Sequence, residues 1–437
     1  MLKITAPTSL PRITAAESLS VLLTVGGPLI AKGVIIRRPL VVRLLQATGA
    51  EKTGIRVLQD LRRRYGDGPV MMRLPQREQA ILLSPQSVRR VLEQTPDPFE
   101  TDSSEKHAAL SHFEPRGSLV SRGEDRVVRR GLNEDVLGTG CPVHRLADRF
   151  QTIVQEECAA LLSPSLSWGA FKDGWFRIVR RCVFGDAARD DTGITAIAAR
   201  LRGDANWAFM KPRRAVLRAQ FLSRIASYVH RAEDATLAAM ARRVATARVA
   251  PEDQIGQWLF AFDAAGIATF RTLAIFASSA DVRAQAQRDE GPAFPFLRTS
   301  VLEAIRLWPT TPAILRQTSR DTDWDGATMK HGTGVLIHVP FFHRDEERLP
   351  FANRFAPAVW LEGDAANWPL IPFSSGPAEC PAKDLVLMIA GMTLSALVRW
   401  GDYRLPEGQA LDLAHLPATF DHFALTLSCG DGEACSG

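Results

Sequence analysis

Apolar residues recur at three- and four-residue spacing along most of the 437-residue chain, and this helical periodicity restricts its folds more than any other feature. The pattern predicts helices over Thr53–Tyr65, Pro85–Gln94, Arg122–Asn133, Val143–Leu162, Phe171–Phe184, Gly193–Met210, Arg213–Ala247, Gln254–Ala280, Phe294–Trp308 and Lys383–Trp400. Strand-like runs are few and short: Val70–Arg73, Ala80–Leu83, Ala313–Thr318, Val335–Val339 and Phe423–Leu427. A mainly α protein with small β-sheets follows. The mixture argues against a Rossmann fold or a TIM barrel, because both need many regularly alternating strands.

With 46% apolar residues the chain can bury a large core. It shows no linker, low-complexity run or internal repeat, so a single domain over 1–437 is expected, with 1–50 as an N-terminal extension or packing segment. A net charge of +5 is a weak basis for nucleic-acid binding, and none is expected. The six cysteines (Cys141, Cys158, Cys182, Cys380, Cys429, Cys435) show no CxxC and no regular spacing. They read as reduced thiols, which points to the cytoplasm. Ser18–Ala31 is uncharged but broken by Gly26-Gly27-Pro28, and falls short of the roughly 20 residues a transmembrane helix needs. Glu17 directly before it argues against a signal peptide. Lys32, Arg37, Arg38 and Arg43 leave a weak peripheral membrane contact through 18–45 open; an ordinary packing segment is the favoured reading.

Function is concentrated near the C-terminus, in Pro372-Phe373-Ser374-Ser375-Gly376-Pro377-Ala378-Glu379-Cys380-Pro381-Ala382. Small and turn-forming residues deliver Cys380 to the start of a long apolar helix, whose free amides and positive dipole end favour a thiolate. Pro381 suits a first helical position. A single cysteine beside a helix start is most often a small buried hydrophobe. As a nucleophile it would want a histidine base, and as a zinc ligand it would want companions at short spacing. Haem needs only one protein axial ligand. Phe373 would then shield the sulfur, and Gly376 would let backbone approach a flat macrocycle.

Two further elements acquire meaning from their order. Glu303 and Arg306 form an i,i+3 helix pair, by itself worth a few tenths of a kcal/mol. Ala265-Gly266-Ile267-Ala268-Thr269 places a glycine inside an apolar helix, at a cost of roughly 1 kcal/mol against alanine. Close approach of a ligand would justify that glycine, and so would tight helix packing. Thr269 can bond back to the carbonyl of Ala265 or turn toward a cavity.

Together these elements resemble the cytochrome P450 family of haem-thiolate monooxygenases, in its bacterial soluble type. Phe373–Cys380 matches the family's FxxGxxxC loop, Glu303 and Arg306 its ExxR pair, and Ala265–Thr269 the oxygen-binding groove of its central helix. Arg63-Arg64-Tyr65-Gly66-Asp67-Gly68 and Gly123-Glu124-Asp125 followed by Arg129-Arg130 extend the likeness over about 53–428.

The resemblance implies haem b with Cys380 as the iron ligand. Arg129 and Arg316 would contact its propionates, Phe373, Gly376 and Ala265 would contact the ring, and Gly266 and Thr269 would serve catalysis. It implies O2 as co-substrate and insertion of one oxygen atom into a hydrophobic small molecule, by hydroxylation or O-dealkylation. The chain would work as a monomer, with electrons from a ferredoxin and its reductase docking near Arg126, Arg130 and Lys383. Phe113, Trp207, Phe209, Phe262, Ile314, Phe420 and Phe423 would line an apolar pocket, while His112, Arg116 and His422 are candidate anchors for a carboxylate.

The chain also departs from the family pattern. Ala268 stands where an acid usually precedes the groove threonine, Ala378 and Asp125 replace a basic and a Trp or His residue, Val359 replaces an arginine beside ExxR, and Ala382 a glycine. Ala268 motivates two alternatives, a peroxide-driven or a non-oxygenating haem-thiolate enzyme. A non-catalytic haem-binding sensor is a third.

Overall fold

The computed structural model describes residues 9–74, 77–291, 293–363 and 369–429. Helices dominate. The central one, Glu252–Ser278, is mostly apolar and packs on both Lys383–Trp400 and Pro295–Leu307. All three bury residues around most of their circumference, as expected of helices in the middle of a large core. Glu252–Ser278 is the one described helix long and apolar enough to cross a membrane, and it is mostly buried inside the protein.

Five strands form the main sheet in the order Val70–Arg73, Glu78–Ile81, Gly334–His338, Ala313–Thr318, Phe99–Glu100. All neighbours are antiparallel except Glu78–Ile81 with Gly334–His338. The sheet packs with the N-terminal helices around a second apolar cluster that includes Val25, Ile55, Leu58 and Ile337.

Several boundaries differ from the sequence reading. The stretch 213–247 is two helices, Ala215–Arg231 and Leu237–Val244, separated by a turn with Ala232 and Ala235 at positive φ. Thr236 caps the second by accepting from the Ala239 amide at 3.1 Å. The helix expected to reach Met210 stops at Ala205. Residues 15–48, which carry little of the resemblance, are largely helical.

Candidate functional site

The loop before Lys383–Trp400 is shaped around Cys380. The amide of Cys380 donates to the carbonyl of Phe373 at 2.9 Å and closes the loop. Gly376 sits at φ +67, and a Cβ there would lie 2.5 Å from the Leu92 carbonyl oxygen. Glycine is thus required twice, by the left-handed backbone and by the neighbouring chain. The close approach at Gly376 is therefore made by protein backbone. Pro381 lies in a turn, Ala382 is the N-cap, and the helix begins at Lys383.

Burial pushes the Cys380 thiol above its usual pKa, more strongly than the hydrogen bond from the Ala382 backbone pulls it down. Such a thiol is a poor free nucleophile at neutral pH. A bound metal ion reverses that balance, since a coordinating thiol is deprotonated outright. No group of three or more His, Cys, Asp or Glu converges to hold a metal among the described residues. Cys380 is therefore suited to a metal that needs a single protein ligand.

Beside the loop, three cations converge. Arg316 is buried, donates to Thr95 Oγ1 (3.1 Å) and Leu315 O (2.9 Å), and reaches Ser374 Oγ at 3.4 Å. Burial and then Arg126 lower its pKa to about 10. Arg126, also buried, contacts Ser118 O, Thr101 Oγ1 and, at 3.4 Å, Pro377 O of the cysteine loop. Burial and then Arg130 lower its pKa. Lys106, on helix Ser104–Leu110, is half-buried and lies close to Arg316, Arg126 and Asp102. Burial, Arg316 and Arg126 push it well below the usual lysine range. The nearby Asp102 is already held by Arg122 at 3.0 Å and His107 at 3.0 Å. Two buried guanidiniums beside a half-buried ammonium, without a free counter-ion, are costly unless an anion joins them. A flat macrocycle with two carboxylates fits that demand, so the residues present suit haem.

The Glu303–Arg306 pair lies on Pro295–Leu307 and is fully buried. Arg306 bonds Glu303 through Nε (2.7 Å) and Nη2 (2.6 Å), and its other donors reach the carbonyls of His343, Ala352, Phe351 and Arg354. All five guanidinium N–H groups are thereby used. Where Val359 leaves the expected arginine missing, Glu303 accepts from the Ala356 amide (2.8 Å) and the Trp360 indole (3.0 Å) instead. His343 extends the network toward the loop, its Nε2 accepting from the Ile371 amide at 2.8 Å.

The matching family model is that of the cytochromes P450, over residues 280–414, a span that contains both the Glu303–Arg306 pair and the Cys380 loop. The solved structures it resembles include a retinoic-acid-bound cyanobacterial CYP120A1, with a TM-score of 0.69 at 16% identity over 85% of this chain and 93% of that one. The chain has the cytochrome P450 fold, and residues 280–414 match that family's model. Another similar P450 structure is CYP175A1 of Thermus thermophilus (TM-score 0.66, 17% identity, 87% and 95% covered). Among curated relatives, cytochrome P450 4c21 of Blattella germanica is 31% identical over 112 residues, which are 25% of this chain and 22% of its own length. Isoflavone 2'-hydroxylase of Glycyrrhiza echinata is 32% identical over 137 residues, or 31% and 26% of the two chains. The chain thus matches about a quarter of the length of these relatives.

Against the expected site, the structure places several residues differently. Arg129 does not join the cation cluster; it donates to Ser121 Oγ at 2.7 Å and pairs with Asp125 at 3.3 Å. Arg126 takes the place beside the loop, and its burial removes it from any docking surface for an electron donor. Lys106, Trp360 and Ala356 were not singled out in the sequence, because their roles arise only from tertiary contact.

On the central helix, a Cβ at Gly266 would lie 2.7 Å from the Trp175 ring, and the Trp175 indole donates to Phe262 O at 2.8 Å. The glycine is explained by helix packing. Thr269 is buried and its hydroxyl donates back to Ala265 O at 2.8 Å. Asp263 faces Arg202 at 3.5 Å.

Of the pocket candidates, Phe113, Phe262, Ile314 and Phe420 are buried, whereas Trp207 and Phe209 are exposed on the surface. Arg116 is exposed beside Asp253, and His112 Nε2 lies 3.0 Å from Ala208 O. His422 is buried and held well below the usual histidine range by burial and then by Arg271 and Arg37.

Proposed function

We propose that this P450 is a haem-thiolate monooxygenase acting on a hydrophobic small molecule, by hydroxylation or O-dealkylation. The observation that carries the reading is a lone half-buried cysteine, backed by the Ala382 amide, set beside three cations that lack an anion. Cys380 would ligate the iron of haem b. Arg126, Arg316 and Lys106 would hold its propionates, through charge-assisted hydrogen bonds. Phe373 would cover the sulfur. Haem with a thiolate ligand supplies the activation of O2, one atom entering a C–H bond and the other leaving as water with two electrons and two protons.

The protein's own contribution on the distal side would come from Ala265 and Thr269. The Thr269 hydroxyl, now bonded to Ala265 O, can rotate to hold a water and pass a proton. Electrons would come from a ferredoxin and its reductase, with the partly exposed Arg130 and Lys383 as candidate contacts, paired at present with Glu134 and Glu379. The described free cysteines support a cytoplasmic setting.

A second reading, a peroxide-driven enzyme, draws on Ala268 standing directly before Thr269 and on Asp263 being engaged by Arg202. Turnover of a screened hydrophobic substrate with NADPH, ferredoxin and reductase, against turnover with hydrogen peroxide, decides between them. Product from reduced ferredoxin supports the monooxygenase. Product from peroxide alone overturns it.

A further inference from the structure

The central helix Glu252–Ser278 is enclosed along most of its length, but Phe260, Asp263, Ala264 and Ile267 remain half-buried. Their three- and four-residue spacing sets them in one stripe, which the buried Arg271 continues. Asp263 lies about 9 Å along the axis from Thr269, at roughly 1.5 Å per residue.

Arg202, on helix Thr192–Ala205, closes over this stripe. It is 3% exposed, with Nη1 3.5 Å from Asp263 Oδ2 and the guanidinium 5.9 Å from the Phe260 ring. Its Nε and Nη1 have no hydrogen-bond partner among the described residues. Glu114 reaches the same place from the loop after helix Ser104–Leu110, where Phe113 meets Phe260 edge-on at 6.0 Å. Glu114 is 2% exposed, Arg202 is the charge that acts on it, and neither carboxyl oxygen is hydrogen-bonded among those residues. Polar groups so buried and unbonded are costly unless a ligand engages them.

Charge selects the ligand. The half-buried Arg37 donates to the carbonyls of Gly33 and Thr310, and Arg271 to those of Trp308 (2.9 Å) and Phe420 (3.2 Å). Burial lowers Arg37 to about 10 and, with Arg37 as second cause, Arg271 to about 9, so both stay charged at pH 7. Of the acids that act on them, Glu51 is paired with Lys32 at 2.7 Å, and Asp421 takes the Phe423 amide at 3.1 Å and Arg43 at 3.4 Å. Asp263 is left to serve both Arg37 and Arg202. Burial raises Glu114 to about 8 against the pull of Arg202, so near neutral pH it adds little negative charge. The stripe therefore joins apolar side chains to a cationic excess.

We propose that Arg202 anchors the carboxylate of a hydrophobic carboxylic acid, with the Glu114 carboxyl group donating beside it. The apolar body then lies along Phe260 and Ile267 toward Thr269. The proposal rests on the monooxygenase reading and names its substrate class. Equilibrium dialysis of the haem-loaded chain tests it, with decanoate, 4-butylbenzoate and biphenyl-4-carboxylate as probes, each beside its neutral primary amide. At pH 7 at least one acid should bind about tenfold or more tightly than its amide, as a hydrogen bond to a buried charge implies. Arg202→Gln should erase that preference while leaving amide affinity near wild type, and Arg202→Lys should restore part of it. Raising the pH from 7 to 9 ionises Glu114, so acid binding should weaken in wild type and stay level in Glu114→Gln. That pH response separates an anchoring role from a merely structural one. Should Arg202→Gln not fold, judged by thermal melting, the pH profile of Glu114→Gln decides alone. Amides binding as tightly as every acid, an acid preference that survives Arg202→Gln, or a pH profile unchanged in Glu114→Gln overturns the proposal. Dialysis needs no turnover, so acid selection without product from any electron source faults the monooxygenase reading and not the anchor.

Discussion

The indole of Trp360 donates to Glu303 Oε2 at 3.0 Å, filling a position beside the buried Glu303–Arg306 pair where the family pattern would place an arginine. A neutral donor replaces a cation. The carboxylate therefore meets one full positive charge, Arg306, plus the Ala356 amide and this indole. Trp360→Phe keeps most of the ring volume and removes only the N–H. Loss of a hydrogen bond to a buried charged group should cost about 1.5–3 kcal/mol, measured as a lower thermal midpoint with haem bound.

Arg126 and Arg129 are three residues apart but make different contacts. Arg126→Leu should weaken haem retention, read as faster haem transfer to apomyoglobin and a lower Soret-to-protein absorbance ratio. Arg129→Leu, which loses Ser121 and Asp125 contacts, should leave both near wild type. Equal effects from the two variants would contradict the placement.

Gly376→Ala would force a side chain into left-handed backbone and against the Leu92 carbonyl. Strain of this kind costs on the order of 1–3 kcal/mol before the clash is counted. The expected phenotype is a less stable protein that binds haem poorly, checked by thermal melting of the apoprotein and by haem titration.

Much of this loop was legible in the sequence, because Phe373, Gly376 and Cys380 are set by local spacing. The helix Lys383–Trp400 likewise follows directly from its uninterrupted apolar run. Other features depended on contacts that no local pattern encodes. The break between Ala215–Arg231 and Leu237–Val244 runs through Ala232 and Ala235, and alanine carries no signal for a turn. Gly266 had two explanations, and only the position of Trp175, 91 residues away in the chain, selects packing. The helix Gly123–Leu137 offers several arginines on neighbouring turns, so the one that meets the Pro377 carbonyl could not be chosen from spacing alone.

Buried histidines make stability depend on pH. Burial, with Arg306 second, lowers His343 to about 3, and burial lowers His338 to about 4 despite the opposing pull of Glu51. Both are neutral in the fold, where His343 Nε2 accepts the Ile371 amide. Between those values and the ordinary 6.5, the unfolded chain binds more protons than the folded one. Stability is therefore fully present above pH 6.5 and declines as pH falls below it. Thermal midpoints taken from pH 7.5 to 4.5 should drop, and His338→Gln should flatten the slope.

The most direct test of the central claim is the Soret band of the reduced carbonyl complex. Cys380 as the iron ligand predicts the strongly red-shifted band of thiolate ligation in the wild-type protein, lost in Cys380→His although haem is still bound. A wild-type band at the position seen with imidazole ligation, or a band unchanged by Cys380→His, would contradict it.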